Sequence, residues 1–358
     1  MQKYKVVIPY ATDYDQLSLG GIRSYIEAIS QDVPEEIELT LLGIEGAKKL
    51  SNVHKGSFDG MRVKQYLGRL NLGFLFVLAK HNLSRFDLVL CHRAETALLV
   101  RLIHRKKVIL TLHGGTFNAL KGQHKIFGLL YPFIELIASM LAESVQAVNV
   151  AIINPIVRKL SKFGPAPLLV RHDLFFPGKE IGNEIFLIGR LEREKRFDLA
   201  LKLIHRAQVT LGYPIRVNVV GDGSCREKLE KISNSLKLET TFHGARSPTE
   251  VAGLLREHGR LLILTSRFEG APIVVIEALL SGLHVIALKS TGISENISNI
   301  GAELAMNEQE FVAKLCTRLS SAPSKNEVSE NIRKSFSSNS SLYWNDCINH
   351  ISRPKSSA

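Results

Sequence analysis

Cysteine is scarce in this chain: the four residues, Cys91, Cys225, Cys316 and Cys347, form no CxxC pair. That scarcity excludes a disulfide frame, and the His and Cys spacing gives no zinc pattern. The thiols read as the reduced cysteines of a cytoplasmic protein. Long apolar runs are also missing. The longest, "LGFLFVLA" at 72–79 and "IELIASMLA" at 134–142, fall far short of the roughly 20 residues that span a bilayer. The opening "MQKYKVVIPYA" reads as the start of a strand, with no apolar core of a signal peptide. Aromatics make up 7% of the chain and none interleave with its basic clusters, which argues against a nucleic-acid partner. No internal repeat is visible, and the Ser and His residues form no legible nucleophile triad.

A globular balance is present: 45% hydrophobic and 22% charged residues over 358 positions, with a net charge of +12. The length suits two domains of about 150 to 200 residues each. The positive charge points to an anionic partner, such as a nucleotide phosphate or an acidic membrane surface. Short Val/Ile/Leu-rich runs recur at 5–9, 37–42, 88–91, 108–112 and 144–148, and again at 184–188, 215–220, 240–242, 260–265 and 284–288. They lack strict alternation, as strands buried on both faces of a parallel sheet do, and amphipathic segments lie between them. Both halves therefore read as doubly wound α/β units. A proline- and glycine-rich seam at 154–184 separates them. We expect domains at 1–178 and 179–336, with 337–358 as a Ser/Asn-rich tail carrying a helix around 342–351.

Ligands of open α/β sheets bind at the carboxyl ends of strands. The loop "SRFEGAPIVVIEALL" (266–280) follows one such strand and places Glu269 at the mouth of a helix. Pro272 is a natural first helical residue, and the free N–H groups there form an anion site. Glu277, farther into the helix, is suited to accept hydrogen bonds from sugar hydroxyls. In "FLIGRLEREKRFDLAL", Gly189 is followed by Arg190 and Lys195, a planar fork and a point charge suited to a diphosphate. Gly221-Asp222-Gly223 is an incomplete GxGxxG, with Arg226 in the third glycine position, and reads as a turn with helix capping. Backbone groups around Gly244–Arg246 could frame a flat base, which periodicity alone does not show. In the first half, "SLGGIRSYI" gives Gly20-Gly21 before a helix, and "VILTLHGG" puts His113 at a strand end. Asp13-Tyr14-Asp15 matches a metal–diphosphate pattern too short to carry a metal site.

Taken together, "GRLEREKRFDLAL", "VVGDGSCREKLEKI", "TFHGA" and "SRFEGAPIVVIEALLSGLHVIA" resemble the retaining, nucleotide-sugar-dependent glycosyltransferases of GT-B fold, the group 1 glycosyl transferases. The resemblance is strong over 184–300 and weaker in the first half, where "GGIRSYI" and "LTLHGG" match. It implies two Rossmann-like domains facing a cleft, with the C-terminal helix crossing back to the first. It also implies that Glu269 contacts donor-sugar hydroxyls and that backbone amides of Gly270, Ala271, Pro272 and Ile273 hold phosphate or sugar. Glu277 would bind the ribose, Arg190 and Lys195 the leaving diphosphate. Gly21 would allow close approach of the diphosphate, and His113 would stabilise the sugar. The family generally needs neither metal nor cofactor. This chain departs from the family at Arg171-His172, where an Asn-Gly turn is usual.

The expected reaction is transfer of a sugar from a nucleotide diphosphate donor to a hydroxyl acceptor, with retention. The acceptor class is a cell-surface polysaccharide, lipopolysaccharide or lipid-linked oligosaccharide. Basic and apolar segments at 63–85 and 101–107 add an expectation of peripheral attachment to an acidic membrane from the cytoplasmic side. A non-hydrolysing sugar-nucleotide epimerase and an idle nucleotide-sugar-binding subunit are the alternatives on the same scaffold.

Overall fold

The computed structural model describes residues 3–10, 21–44, 56–61, 70–113, 125–150, 153–160, 162–267, 273–289, 300–322 and 328–352. The chain divides into two compact units: residues 1–16, 25–169 and 338–358 form one, and 17–24 with 170–337 the other. The segment between Ala166 and Asn183, where the seam was expected, holds neither strand nor helix.

The first unit is built on a parallel sheet of β1 (Tyr4–Pro9), β2 (Ile37–Ile44), β3 (Gly56–Met61), β4 (Leu88–Cys91), β5 (Lys107–Leu112), β6 (Ser144–Ala147) and β7 (Phe163–Pro165). The spatial order is β3-β2-β1-β4-β5-β6-β7. Every residue of β4 and β6 is buried, which is why these strands read as short runs without alternation. Helices α1 (Gly21–Ile29), α2 (Leu70–Lys80), α3 (Ala94–Leu99) and α4 (Lys125–Leu141) provide the crossovers. A core of Val7, Phe74, Leu78, Val89, Leu110 and Val145 lies between the sheet and these helices.

The second unit repeats the plan with β8 (Glu184–Ile188), β9 (Arg216–Val220), β10 (Glu239–Gly244), β11 (Gly259–Leu264), β12 (His284–Leu288) and β13 (Glu303–Ala305), in the order β10-β9-β8-β11-β12-β13. Its helices are α5 (Phe197–Leu211), α6 (Arg226–Ser235), α7 (Pro248–His258), α8 (Ile273–Leu280) and α9 (Glu308–Ser320). The start of α7 shows how the sequence sets an end. Ser247 accepts from the Glu250 amide and Glu250 returns to the Ser247 amide at 2.8 Å, a capping box with Pro248 as the first helical residue. The segment before β8 lies on α7. Arg256 donates to the Leu174 carbonyl at 3.0 Å and stacks 3.8 Å over the Phe176 ring, while Arg171 grips Asp173 through two bonds of 2.8 and 2.6 Å.

The last helix, α10 (Val328–Ser352), is longer than the expected 342–351. From residue 338 onward it belongs to the first unit. Tyr343, Trp344 and Cys347 turn one face into that unit's core, each 0–1% exposed. Gln146 donates to Asp346 at 2.8 Å, and the Lys107 ammonium reaches the carbonyls of His350 and Ile351 at 3.1 Å, where the negative end of the helix dipole lies.

Candidate functional site

In a doubly wound sheet the natural ligand crevice opens where strand order reverses. In the second unit β8 is flanked by β9 and β11, so that point lies between β8 and β11. The loops leaving their carboxyl ends are Gly189–Lys195 and the stretch beginning at Thr265, the two that the sequence singles out. The described residues hold them together. The Arg267 amide donates to the Glu194 carbonyl at 2.8 Å, and the Thr265 hydroxyl bonds the carbonyls of Lys195 and Arg196 at 3.1 and 2.9 Å. Thr265 and Ser266 are buried at 0% and 2% exposure, so the second loop leaves the sheet from a fixed base.

Gly189 sits at the root of the first loop with φ of +146°, a conformation that favours glycine. A Cβ there would meet the Lys195 side chain at 3.5 Å. The lysine stem therefore folds back over the glycine, and the ammonium and the Arg190 guanidinium are carried by one short turn. Its last part is the 3₁₀ segment Arg193–Lys195, ended by Arg196 in the left-handed conformation at φ 51°. Arg190 is 58% exposed and pairs with Glu194 at 3.2 Å. An exposed pair of this kind is worth little, so an anionic ligand competes for the guanidinium at small cost. Glu192 faces the other way. It accepts from the Ser224 hydroxyl at 2.6 Å and the Ser224 amide at 3.0 Å, and those bonds hold its carboxyl below the ordinary range.

The Gly221–Gly223 turn is structural in detail. A Cβ on Gly223 would lie 2.7 Å from the Leu191 carbonyl oxygen, so this turn and the Arg190 loop pack backbone to backbone. The capping expected there comes from elsewhere: Cys225 at the helix start makes no side-chain cap, and Glu192 supplies the acceptor for Ser224. Gly244 ends β10 at φ +72°, and its carbonyl accepts from the Gly221 amide at 2.8 Å. His243 beside it bonds Asn218 at 2.7 Å, and Asn218 donates to Glu184 at 2.6 Å.

Helix α8 begins at Ile273, and Glu277 is its half-buried fifth residue among buried Val275, Ile276 and Ala278. Glu269, Gly270, Ala271 and Pro272 lie outside the described residues, as does the Asp13-Tyr14-Asp15 motif. Among the described residues no cluster of three or more His, Cys, Asp or Glu is arranged to hold a metal ion.

In the first unit order reverses between β1 and β4. Gly21 is the first residue of α1. His113 follows β5, and its Nε2 lies 2.9 Å from Nδ1 of His92, which follows β4. Tyr25 stands edge-on to both rings, at 5.0 Å from His113 and 5.7 Å from His92. Burial pushes the His113 pKa down to about 3 and that of His92 well below its ordinary value. His113 is thus a neutral hydrogen-bonding group at physiological pH, not a cation for phosphate. The sequence reading overlooked His92. It directly follows Cys91 with no Gly-Gly turn to draw the eye, yet the strand-end rule that found His113 covers it equally.

Comparison with known proteins places these features in a family context. Residues 174–335 match the model of glycosyl transferases group 1. Over 212 residues the chain is 31% identical to the amylovoran biosynthesis glycosyltransferase AmsD of Erwinia amylovora, an alignment covering 54% of this chain and 55% of AmsD. Among solved structures, Anabaena HepE in complex with UDP-glucose superposes with a TM-score of 0.74 at 14% identity, covering 96% of this chain and 99% of that one. Sucrose-phosphate synthase from Thermosynechococcus elongatus gives 0.74 at 15% identity, covering 98% and 99%.

Proposed function

From the premise that this chain belongs, through residues 174–335, to the glycosyl transferases group 1 and has the GT-B fold, we propose that it is a retaining transferase using a nucleotide diphosphate sugar. One observation carries the reading. At the β8–β11 switch point, the loop bearing Arg190 and Lys195 is hydrogen-bonded to the loop that leads through Glu269 to Glu277. Two cations stand beside the residues leading to a helix start, where a leaving diphosphate gathers negative charge. Glu277 is the acceptor for ribose hydroxyls. Glu269 serves the sugar, and the amides of Gly270 to Ile273 serve the phosphates. The departing phosphate takes the acceptor proton on the same face, and His113, neutral, holds the sugar by a hydrogen bond. No metal is required where Arg190, Lys195 and the helix dipole supply the positive charge.

The test is a thermal-shift comparison of UDP, GDP and ADP, followed by their sugars. HepE is seen with UDP-glucose, so UDP is the first choice. At 100 times its Kd the matching nucleotide adds about 2.7 kcal/mol of stability. A chain unmoved by all three would not be a nucleotide-sugar enzyme, and a product formed without an acceptor would make it an epimerase.

The acceptor class, a cell-surface glycan or lipid-linked oligosaccharide, accords with the amylovoran biosynthesis role of AmsD. An acidic membrane surface is part of the same reading. Leu130, Phe133, Ile137 and Met140 form an apolar stripe along α4, each 47–63% exposed, and the first unit also exposes Phe76 on α2 and Leu102 and Ile103 just after α3. Lys80 lies 4.3 Å over Phe76, Arg105 is exposed, and Lys162 binds the Met140 carbonyl at 2.6 Å. A stripe of this kind, rimmed by cations, suits the headgroup region of anionic lipid. No helix among the described residues is long and apolar enough to cross a membrane. Co-sedimentation with vesicles containing anionic phospholipid should weaken about tenfold in Phe133→Ser, from the lost burial of one aromatic. Binding that ignores both lipid charge and this substitution would refute the attachment.

A further inference from the structure

His92 and His113 end adjacent strands, with Nδ1 of the first 2.9 Å from Nε2 of the second. One of these nitrogens must carry the proton and the other must accept it. The remaining nitrogen of His92 decides which. Its Nε2 is buried and has no hydrogen-bond partner among the described residues. A proton placed there would be an orphaned buried N–H, the costlier of the two possible defects, whereas a bare lone pair is tolerated more readily. His92 therefore keeps its proton on Nδ1 and donates it to Nε2 of His113. A neutral His113 that accepts through Nε2 carries its own proton on Nδ1.

We propose that His92 is a positioning residue that fixes His113 as the Nδ1–H tautomer, so that His113 meets the donor sugar as a neutral hydrogen-bond donor. The inference rests on the glycosyl-transfer reading for the identity of the acceptor oxygen, but not for the tautomer. Three features keep the pair in this state. Tyr25 packs edge-on against both rings, with interplanar angles of 66° and 82°, which restrains their orientation. The Tyr25 hydroxyl is itself fixed by donating to the Pro167 carbonyl at 3.0 Å. Burial keeps both imidazoles uncharged at neutral pH, and for His92 the neighbouring His113 adds to it. His92 thus does for His113 what an outer-shell partner does for a metal-bound histidine: it selects the ring nitrogen that faces the chemistry.

The experiment is nitrogen and carbon NMR of the full chain labelled at histidine, with His113→Asn used to assign the resonances. In the wild type, His92 and His113 should both report the Nδ1–H form. His92→Leu removes the donor, releases His113 toward the Nε2–H form and lowers kcat by about 10- to 100-fold, the range known for outer-shell partners of metal-bound histidines. KM for the donor should change far less. The amide nitrogen of Asn occupies the place of Nδ1, so His92→Asn should restore both the tautomer and most of the turnover lost in His92→Leu. An Nε2–H His113 in the wild type overturns the proposal, as does a tautomer unchanged in a folded His92→Leu. If His92→Leu does not fold, the wild-type spectrum and His92→Asn decide alone. The tautomer is read without substrate. A chain that transfers no sugar would therefore refute the proposed activity and leave the tautomer assignment standing.

Discussion

Replacing Arg190 with alanine should lower turnover by about 100- to 1000-fold, as loss of one preorganised donor to developing negative charge does elsewhere. The same substitution should leave folding almost unchanged. Arg190 is more than half exposed and its partner Glu194 is 42% exposed, so their 3.2 Å pair contributes at most about 1 kcal/mol. Activity and stability should therefore separate cleanly, in steady-state kinetics and a melting curve on the same sample. Arg190→Lys should recover only part of the loss, because an ammonium cannot bridge two phosphate oxygens as a planar fork does. Near-normal turnover in Arg190→Ala would remove Arg190 from the leaving-group site.

The opposite separation is expected at Trp344. This side chain is fully buried, with Tyr343 edge-on at 5.5 Å and 80°. Truncation to alanine removes a large apolar volume and leaves a cavity, at a cost of about 3–5 kcal/mol. For a unit of this size, each kcal/mol lowers the melting midpoint by about 2–4 °C. Trp344→Phe should cost much less, because the indole N–H has no hydrogen-bond partner among the described residues to lose. Chemical denaturation of the two variants provides the comparison. Equal losses would mean that the indole nitrogen matters more than the packing.

The central strands of both sheets were legible because burial on both faces writes itself as unbroken Val/Ile/Leu runs. Those at 88–91, 184–188 and 284–288 match residue for residue. The three strands the sequence did not announce lie at sheet edges. β3 is "GSFDGM", and β7 and β13 have three residues each, "FGP" and "ELA". An edge strand needs few apolar neighbours, so its sequence carries little signal. The position of the Arg190 loop was legible because Gly189 and the charged run after it directly follow a Val/Ile/Leu-type strand. Its coupling to Thr265 was not, since those bonds run through backbone carbonyls. The stripe on α4 was hidden for a different reason: "IELIASMLA" reads as a buried run, and only packing shows that Ala138 and Ser139 face inward while Ile137 and Met140 face out.

The closing half of α10 has a consequence for the order in which the chain matures. Tyr343, Trp344 and Cys347 belong to the core of the first unit, yet the ribosome makes them after the whole of the second. Asn339 must reach the Leu168 carbonyl and Asp346 must reach Gln146, across 171 and 200 residues of sequence. The second unit, with only the short 17–24 piece from outside its own stretch, has nearly everything it needs once residue 337 has emerged. Domains usually consolidate from the N-terminus during synthesis. Here the N-terminal sheet waits, with its C-terminal helix site uncovered, until the last helix leaves the exit tunnel, and the unit begun first is the one finished last.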